Sequence, residues 1–384
     1  MLQVVVGHST DIDSDAAIAE VLEQCQAQLP GHSPQAGLLF AAIDFEHDLI
    51  LDAIQQAFPG IALIGCTTDG EVSSVDGFQE DSLSLMLFCA DGITIRAGCG
   101  RGLSTDPAAA AQQAVSRLDN AQLGPAKLCI TLPDGIETGT EPALRQLQQL
   151  LPAGLPIVGG RAADQFRFEQ TYQFFQGEVL QNSLPVLLFY GDLQVAHGVA
   201  SGWQPLSAKA LVTKSDGSIV HEIDGQPATD FFRRYLNDRP ITGEYPLAVF
   251  EDAASDRFYL RAANQLADVP GSILFMGEVP EQSTVQLTHA TSDQIISAAQ
   301  TSIEQAVNDY PGCQPSAVLL FSCAARRWLL GNRAAAEYEL LHQSLGREIP
   351  TIGFYANGEI GPLRRDHDTF CHQETLVTVL LGVE

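Results

Sequence analysis

Ile61-Ala62-Leu63-Ile64-Gly65-Cys66-Thr67-Thr68-Asp69-Gly70-Glu71 and, near the other end of the chain, Thr351-Ile352-Gly353-Phe354-Tyr355-Ala356-Asn357-Gly358-Glu359 follow one plan. Each is a short apolar strand running into a polar loop, with a glycine directly before a glutamate. The interval from Gly65 to Glu71 equals that from Gly353 to Glu359. Upstream of each lies another apolar strand and a helical stretch: 37–42 then 46–57 in the first copy, 317–321 then 333–345 in the second. Downstream of each comes a further strand, at 83–88 and 375–381. A weaker copy sits between them. Residues 127–131 form its strand and 141–150 its helix, and Pro156-Ile157-Val158-Gly159-Gly160 its second strand. Arg161-Ala162-Ala163-Asp164 and a hairpin-like stretch over 171–189 follow. Recurrence at this level is read before local motifs, because each repeat is one supersecondary unit. Strand–helix–strand spacing predicts parallel pairs, whereas the alternation in Phe258-Tyr259-Leu260-Arg261 predicts antiparallel ones. The expected class is α/β in a mixed α+β arrangement: duplicated strand–helix–strand units, mixed parallel and antiparallel sheets, two domains.

Composition narrows the partners. Among 384 residues there are 20 Lys+Arg against 47 Asp+Glu, a formal charge of −27. Phosphates and anionic lipid surfaces require clustered cations, so nucleic acid and membrane surfaces are poor partners for this chain. With 45% hydrophobic and 17% charged residues there is ample material for a core. The first residues carry no basic segment followed by an apolar stretch of signal-peptide length, and no run approaches the roughly 20 apolar residues that span a bilayer. The 8 cysteines are scattered without a C-x-x-C pair, so neither a metal clip nor a disulfide framework is indicated. A reduced, cytoplasmic setting is expected.

Several separated stretches, in order, resemble the paired FIST N-terminal and C-terminal sensory domains. They are 64–71, Gly159-Gly160-Arg161-Ala162-Ala163-Asp164 with Thr171-Tyr172-Gln173-Phe174, Asp224-Gly225-Gln226-Pro227-Ala228, 353–362 and 370–376. The resemblance covers nearly the whole chain and divides it into an N-like domain, 1–204, and a C-like domain, 205–384. It implies a bacterial small-ligand sensor in signal transduction. Some stand-alone members of this length are similar to haem proteins that sense nitric oxide and regulate a histidine kinase in trans. The 384 residues themselves include no kinase or output domain, so the signal is expected to pass to a separate protein.

The loops after the strands are the natural ligand sites, since α/β folds place ligands beyond the carboxyl ends of strands. Cys66, Thr67, Glu71, Tyr355, Asn357 and Glu359 are the candidates in the two outer copies. A tight turn whose glutamate accepts backbone N–H groups is the structural alternative. Arg161 and Asp164 occupy the matching point of the middle copy, as a clamp for a ligand carboxylate or as a salt bridge. His372, after Phe370-Cys371 and before an apolar strand, is the candidate axial ligand if haem is bound. Its alternative is a buried histidine satisfied by a carbonyl. There is no G-x-S-x-G elbow, P-loop or H-E-x-x-H helix. An enzyme using Cys66 or Thr67 is therefore the lesser reading, and a haem-free sensor of an amino acid or other metabolite is the main competitor to haem.

Overall fold

The computed structural model describes all residues except 30, 117, 119–122, 238, 251–253, 255–256, 347–348, 366 and 384. The repeat seen in the sequence is present three times. The first unit runs β1 Leu2–Ser9, α1 Ser14–Ala27, β2 Ala36–Ala41, α2 His47–Ala57, β3 Ala62–Thr67, a hairpin of β4 Glu71–Ser73 and β5 Gly77–Gln79, and β6 Leu83–Ala90. The second runs β7 Ile93–Arg101, α3 Pro107–Val115, β8 Ala126–Thr131, α4 Thr140–Leu150, β9 Ile157–Gly160, the hairpin β10 Gln173–Phe175 and β11 Glu178–Leu180, and β12 Ser183–Gly191. The third opens with β13 Gln194–Ala200 and is then interrupted. Strands β14 to β22 and helix α5 Ala228–Leu236 fill residues 204–289 with a nine-stranded sheet of their own. The third unit resumes with α6 Ser292–Asp309, β23 Ala317–Cys323, α7 Ala324–Leu330, α8 Ala335–Leu345 and β24 Thr351–Ala356. The hairpin β25 Glu359–Pro362 and β26 Thr369–His372 and then β27 Leu376–Gly382 complete it. Residues 204–205 form the first strand of the insertion.

Each unit builds four strands of one sheet. The crossover strands pair in parallel, β2 with β3, β8 with β9 and β23 with β24, and the unit's first and last strands add antiparallel. The fifth and sixth strands come from another unit. The hairpin β4–β5 leaves the first unit and pairs on β24, β10–β11 pairs on β3, and β25–β26 pairs on β9. Every unit gives one hairpin and receives one, in a closed cycle.

The apolar strands explain this arrangement. Leu38, Phe40 and Ile64 of the first sheet, Ile130 and Phe189 of the second, and Phe321 and Phe354 of the third share one central core. Phe40 and Phe354 meet at 4.6 Å between centroids, Phe321 and Phe354 at 5.6 Å, and Phe88 and Phe189 at 5.5 Å. The opposite faces bury against the helices: α1 and α2 on the first sheet, α3 and α4 on the second, α6 and α8 on the third. Strands covered on both faces read as continuous apolar runs rather than as alternation. The insertion has its own core around Phe231, Phe232 and Phe275. Among the described residues no helix is long and apolar enough to cross a membrane.

Candidate functional site

The three units bring equivalent buried polar stations to the start of each exchanged hairpin. Glu71 opens β4, Gln173 opens β10 and Glu359 opens β25, and all three are fully buried. Glu71 accepts from the hydroxyls of Thr68 and Ser82. Gln173 Oε1 accepts from Ser183 N–H at 3.2 Å and Ser183 Oγ at 3.0 Å. Glu359 accepts from Thr375 N–H at 3.0 Å and Thr375 Oγ1 at 2.8 Å. The residues before those hydroxyls, Asp81, Asn182 and Glu374, all have left-handed backbone, at φ 52°, 47° and 63°. Gly70 and Gly358, at φ 122° and 143°, supply the turn before each glutamate, a conformation open to glycine. The expected turn is therefore present, and its glutamates bond inward to the protein. Burial pushes the Glu71 carboxyl up to about 7 and that of Glu359 to about 8. Sequence reading missed Gln173 as the third member. A loop of a dozen residues separates it from Gly160, where the outer copies need only two or three.

The other predicted residues divide by environment. Cys66 lies in the central core, where burial and then Glu71 push its thiol well above the ordinary range. Thr67 Oγ1 accepts from Tyr172 N–H at 3.1 Å, locking β3 to the incoming hairpin. Tyr355 is buried on the helix-covered face of β24, its hydroxyl donating to Glu337 at 2.9 Å. Arg161 is 5% exposed and spends Nε on the Asp134 carbonyl at 3.1 Å and Nη2 on the Glu137 carbonyl at 3.0 Å. Asp164 accepts from the N–H groups of Phe168, Glu169 and Gln170 at 3.0, 2.8 and 3.1 Å. Those bonds hold a tongue in which Gln165, Phe166 and Phe168 all have left-handed backbone. The His372 ring is fully buried and Nε2 donates to the Gly361 carbonyl at 2.8 Å. Burial lowers it to about 4. Its Nδ1 has no partner among the described residues, yet the ring lines none of the cavities described below. This setting does not fit a haem axial ligand, because a macrocycle at Nδ1 would have to displace packed core.

Asn357 leads to the cavity that the structure does contain. About 460 Å³ of space lies between the inserted segment, which contributes Thr242, Glu244, Ala263, Asn264 and Met276, and the three-unit body. Phe166, Phe168 and Trp328 form aromatic walls, with Phe166 and Trp328 at 5.6 Å and Phe166 and Phe168 at 6.2 Å between centroids. Asn357, Gln373 and Glu374 line the body side. Asn357 Nδ2, Gln373 Nε2 and both Glu374 carboxyl oxygens are buried with no hydrogen-bond partner among the described residues. A buried polar group left unpaired costs about 1–3 kcal/mol, so native structures rarely leave several together without a reason. A second cavity of about 480 Å³ shares Phe168, Asn264 and Met276 with the first and is lined by Arg161, Glu137 and Glu278. A third, of about 620 Å³, shares Phe166 and Trp328 and reaches Asp81 and Arg327. The aromatic tongue therefore stands where three cavities meet. No motif in the sequence marked Trp328, and Glu374 stood in the 370–376 stretch without being singled out as a site residue.

Known proteins place the chain by family. It is 25% identical to an uncharacterised protein of Mycobacterium tuberculosis, over 94% of this chain and 95% of that protein. It is also 25% identical to an uncharacterised protein of Methanocaldococcus jannaschii over 67% of this chain, which spans about half (52%) of that relative's length. A cyanuric acid hydrolase from A. caulinodans aligns over 100% of this chain and 99% of its own at 10% identity and a TM-score of 0.32, a likeness too weak to carry fold or chemistry across. The FIST N domain family model matches residues 35–226 and the FIST C domain model residues 228–362, meeting inside the inserted segment. The chain belongs to the FIST family, whose domains are sensory domains of signal transduction.

Proposed function

We propose that this chain senses a small organic metabolite in the aromatic-walled cavity beneath the inserted sheet, without haem. The observation that carries the reading is the group of unpartnered buried side chains, Asn357, Gln373 and Glu374, facing Phe166, Phe168 and Trp328 across space of ligand size. One wall belongs to the three-unit body and the other to the insertion. A ligand bridging both would favour one relative position of the inserted sheet, which is how differential affinity becomes a signal. The receiver we propose is a separate protein, with a histidine kinase acting in trans as the partner implied by the family resemblance. All eight cysteines are free, which supports a reducing, cytoplasmic setting. A non-catalytic role is supported by the burial of Cys66 and by the bonding of Thr67 within the fold.

A ligand that binds only the folded state raises its unfolding temperature. Screening a broad panel of amino acids, amines, sugars and organic acids by thermal unfolding is expected to give at least one such rise, lost in Phe168→Ala. Phe168 is 46% exposed, so its truncation leaves the core intact. A panel without any stabilising compound would count against the sensor reading.

A further inference from the structure

We infer that the cavity takes an organic cation, an amine with a short apolar body and an oxygen acceptor, whose charged head sits on Glu374 against the rings of Phe166, Phe168 and Trp328. This rests on the cavity being the sensing site.

The charge of the lining is the first argument. The ionisable groups facing the cavity are the carboxyls of Glu244 and Glu374 and the thiol of Cys323. No Lys, Arg or His lines it among the described residues. An anionic ligand would meet no counter-charge there, whereas the −27 chain concentrates cations around it. Aromatic faces add attraction for an ammonium that a neutral head does not receive.

The pseudo-equivalent stations supply the second argument. Asp81, Asn182 and Glu374 hold the same strained backbone in the three units. Asp81 accepts from Gln165 Nε2 at 2.5 Å, and Asn182 exchanges bonds with Ser104 at 2.8 and 2.9 Å. Only the third station presents a fully buried carboxyl with neither oxygen bonded, and it alone lines this cavity. Gln373 Oε1 is anchored by Ala262 N–H at 2.6 Å, which orients Nε2 as a spare donor. With Asn357 Nδ2 it would hold a hydroxyl or carbonyl oxygen on the ligand.

Binding then moves a proton. Burial raises the Glu374 carboxyl well above the ordinary carboxylate range, and the neighbouring Glu359 carboxyl of β25 adds to this where it is ionised. Cys323 of β23 and Glu244 of the insertion add no positive charge. Arg326 of α7 opposes the shift, but its guanidinium is engaged by Glu337 of α8 at 2.5 Å. An arriving alkylammonium pairs with the carboxylate, and the carboxyl proton leaves to solvent. Affinity therefore rises up to about tenfold per pH unit while Glu374 is protonated in the free protein.

Three probes of matched length separate the possibilities: 4-amino-1-butanol, 1,4-butanediol and 4-hydroxybutyrate. Calorimetry of the full chain at pH 6.5 and 7.5, in two buffers of different ionisation enthalpy, reads affinity and proton release together. The amino alcohol is expected to bind at least tenfold tighter than the other two, more tightly at the higher pH, with up to one proton released. Glu374→Gln should remove the proton release and weaken the amine tenfold or more. Trp328→Ala, at a 68% exposed position, should weaken it without disturbing the fold. Equal or tighter binding of the diol or the acid would overturn the cation and leave the sensor reading standing, as would amine binding unchanged in Glu374→Gln. Failure of all three probes, with a hit among the sugars or organic acids of the wider panel and none among its amines, would overturn the cation alone. Silence across the whole panel would overturn both.

Discussion

Glu359 accepts two hydrogen bonds from Thr375 through one oxygen and leaves the other without a partner among the described residues. Burial raises it from an ordinary 4.5 to about 8, so the folded state holds its proton over a range where the unfolded chain releases it. Its contribution is fully present below about 4.5 and is lost as pH rises towards 8. Asp69 and Glu71, both raised to about 7, act in the same direction. His372 and His8, both lowered to about 4, act oppositely and remove stability as pH falls from 6.5 to 4. With three carboxyls raised against two histidines lowered, stability is expected to fall as pH rises from mildly acidic values through neutrality. Glu359→Gln keeps an acceptor for Thr375 and carries no charge, so it should flatten the decline between pH 6 and 9 in urea titrations. A variant with the wild-type slope would show that Glu359 does not carry the effect. At this scale the sequence identified the glutamates and the glycines before them. It did not distinguish a carboxyl bonded to its own unit from one open to a cavity, because that depends on neighbours distant in the chain.

The strand–helix–strand element imposes its own requirement. In the parallel pairs, Gly65 lies beside Leu39 and Gly353 beside Leu320, and a Cβ on either glycine would approach the neighbouring carbonyl oxygen to 2.2 Å. Both obstacles are backbone, which cannot rotate aside. Gly353→Ala is expected to destabilise the protein by about 1–3 kcal/mol, read as a lower urea midpoint at unchanged slope. An unchanged midpoint would mean that the sheet yields there easily. This element was the most legible part of the fold: apolar runs and intervening helices outlined all three units, and the shared Gly-to-Glu interval tied the outer two together. The hairpins' destinations were not legible, because β4, β10 and β25 carry no local mark of the strand they join. The middle copy looked weak for a related reason. Its tongue, folded around Asp164, pushes Gln173 out of the interval kept by the other two.

The molecule as a whole is a three-unit body with one inserted sheet latched onto it. Arg261 of the insertion, 3% exposed, donates to the Cys371 carbonyl of β26 at 2.8 Å and lies 3.6 Å from Glu141 of α4. Tyr259 stacks on Phe370 beside it, at 5.5 Å between centroids. Arg261→Met removes the donors and leaves the Cys371 carbonyl and the Glu141 carboxylate without their partner. Limited proteolysis should then cut within 204–289 faster than in wild type while the three-unit body persists. Unaltered cleavage would place the latch elsewhere. The cycle of hairpins has a wider consequence. A single unit standing alone would have one sheet edge bare and one hairpin without a strand to join, and three separate copies could satisfy one another in a ring without open edges. The arrangement is that of a domain-swapped homotrimer whose chains have been joined end to end. Within one chain the three stations are free to differ, and they do: only the third, at Glu374, turns an unbonded buried carboxyl to a cavity.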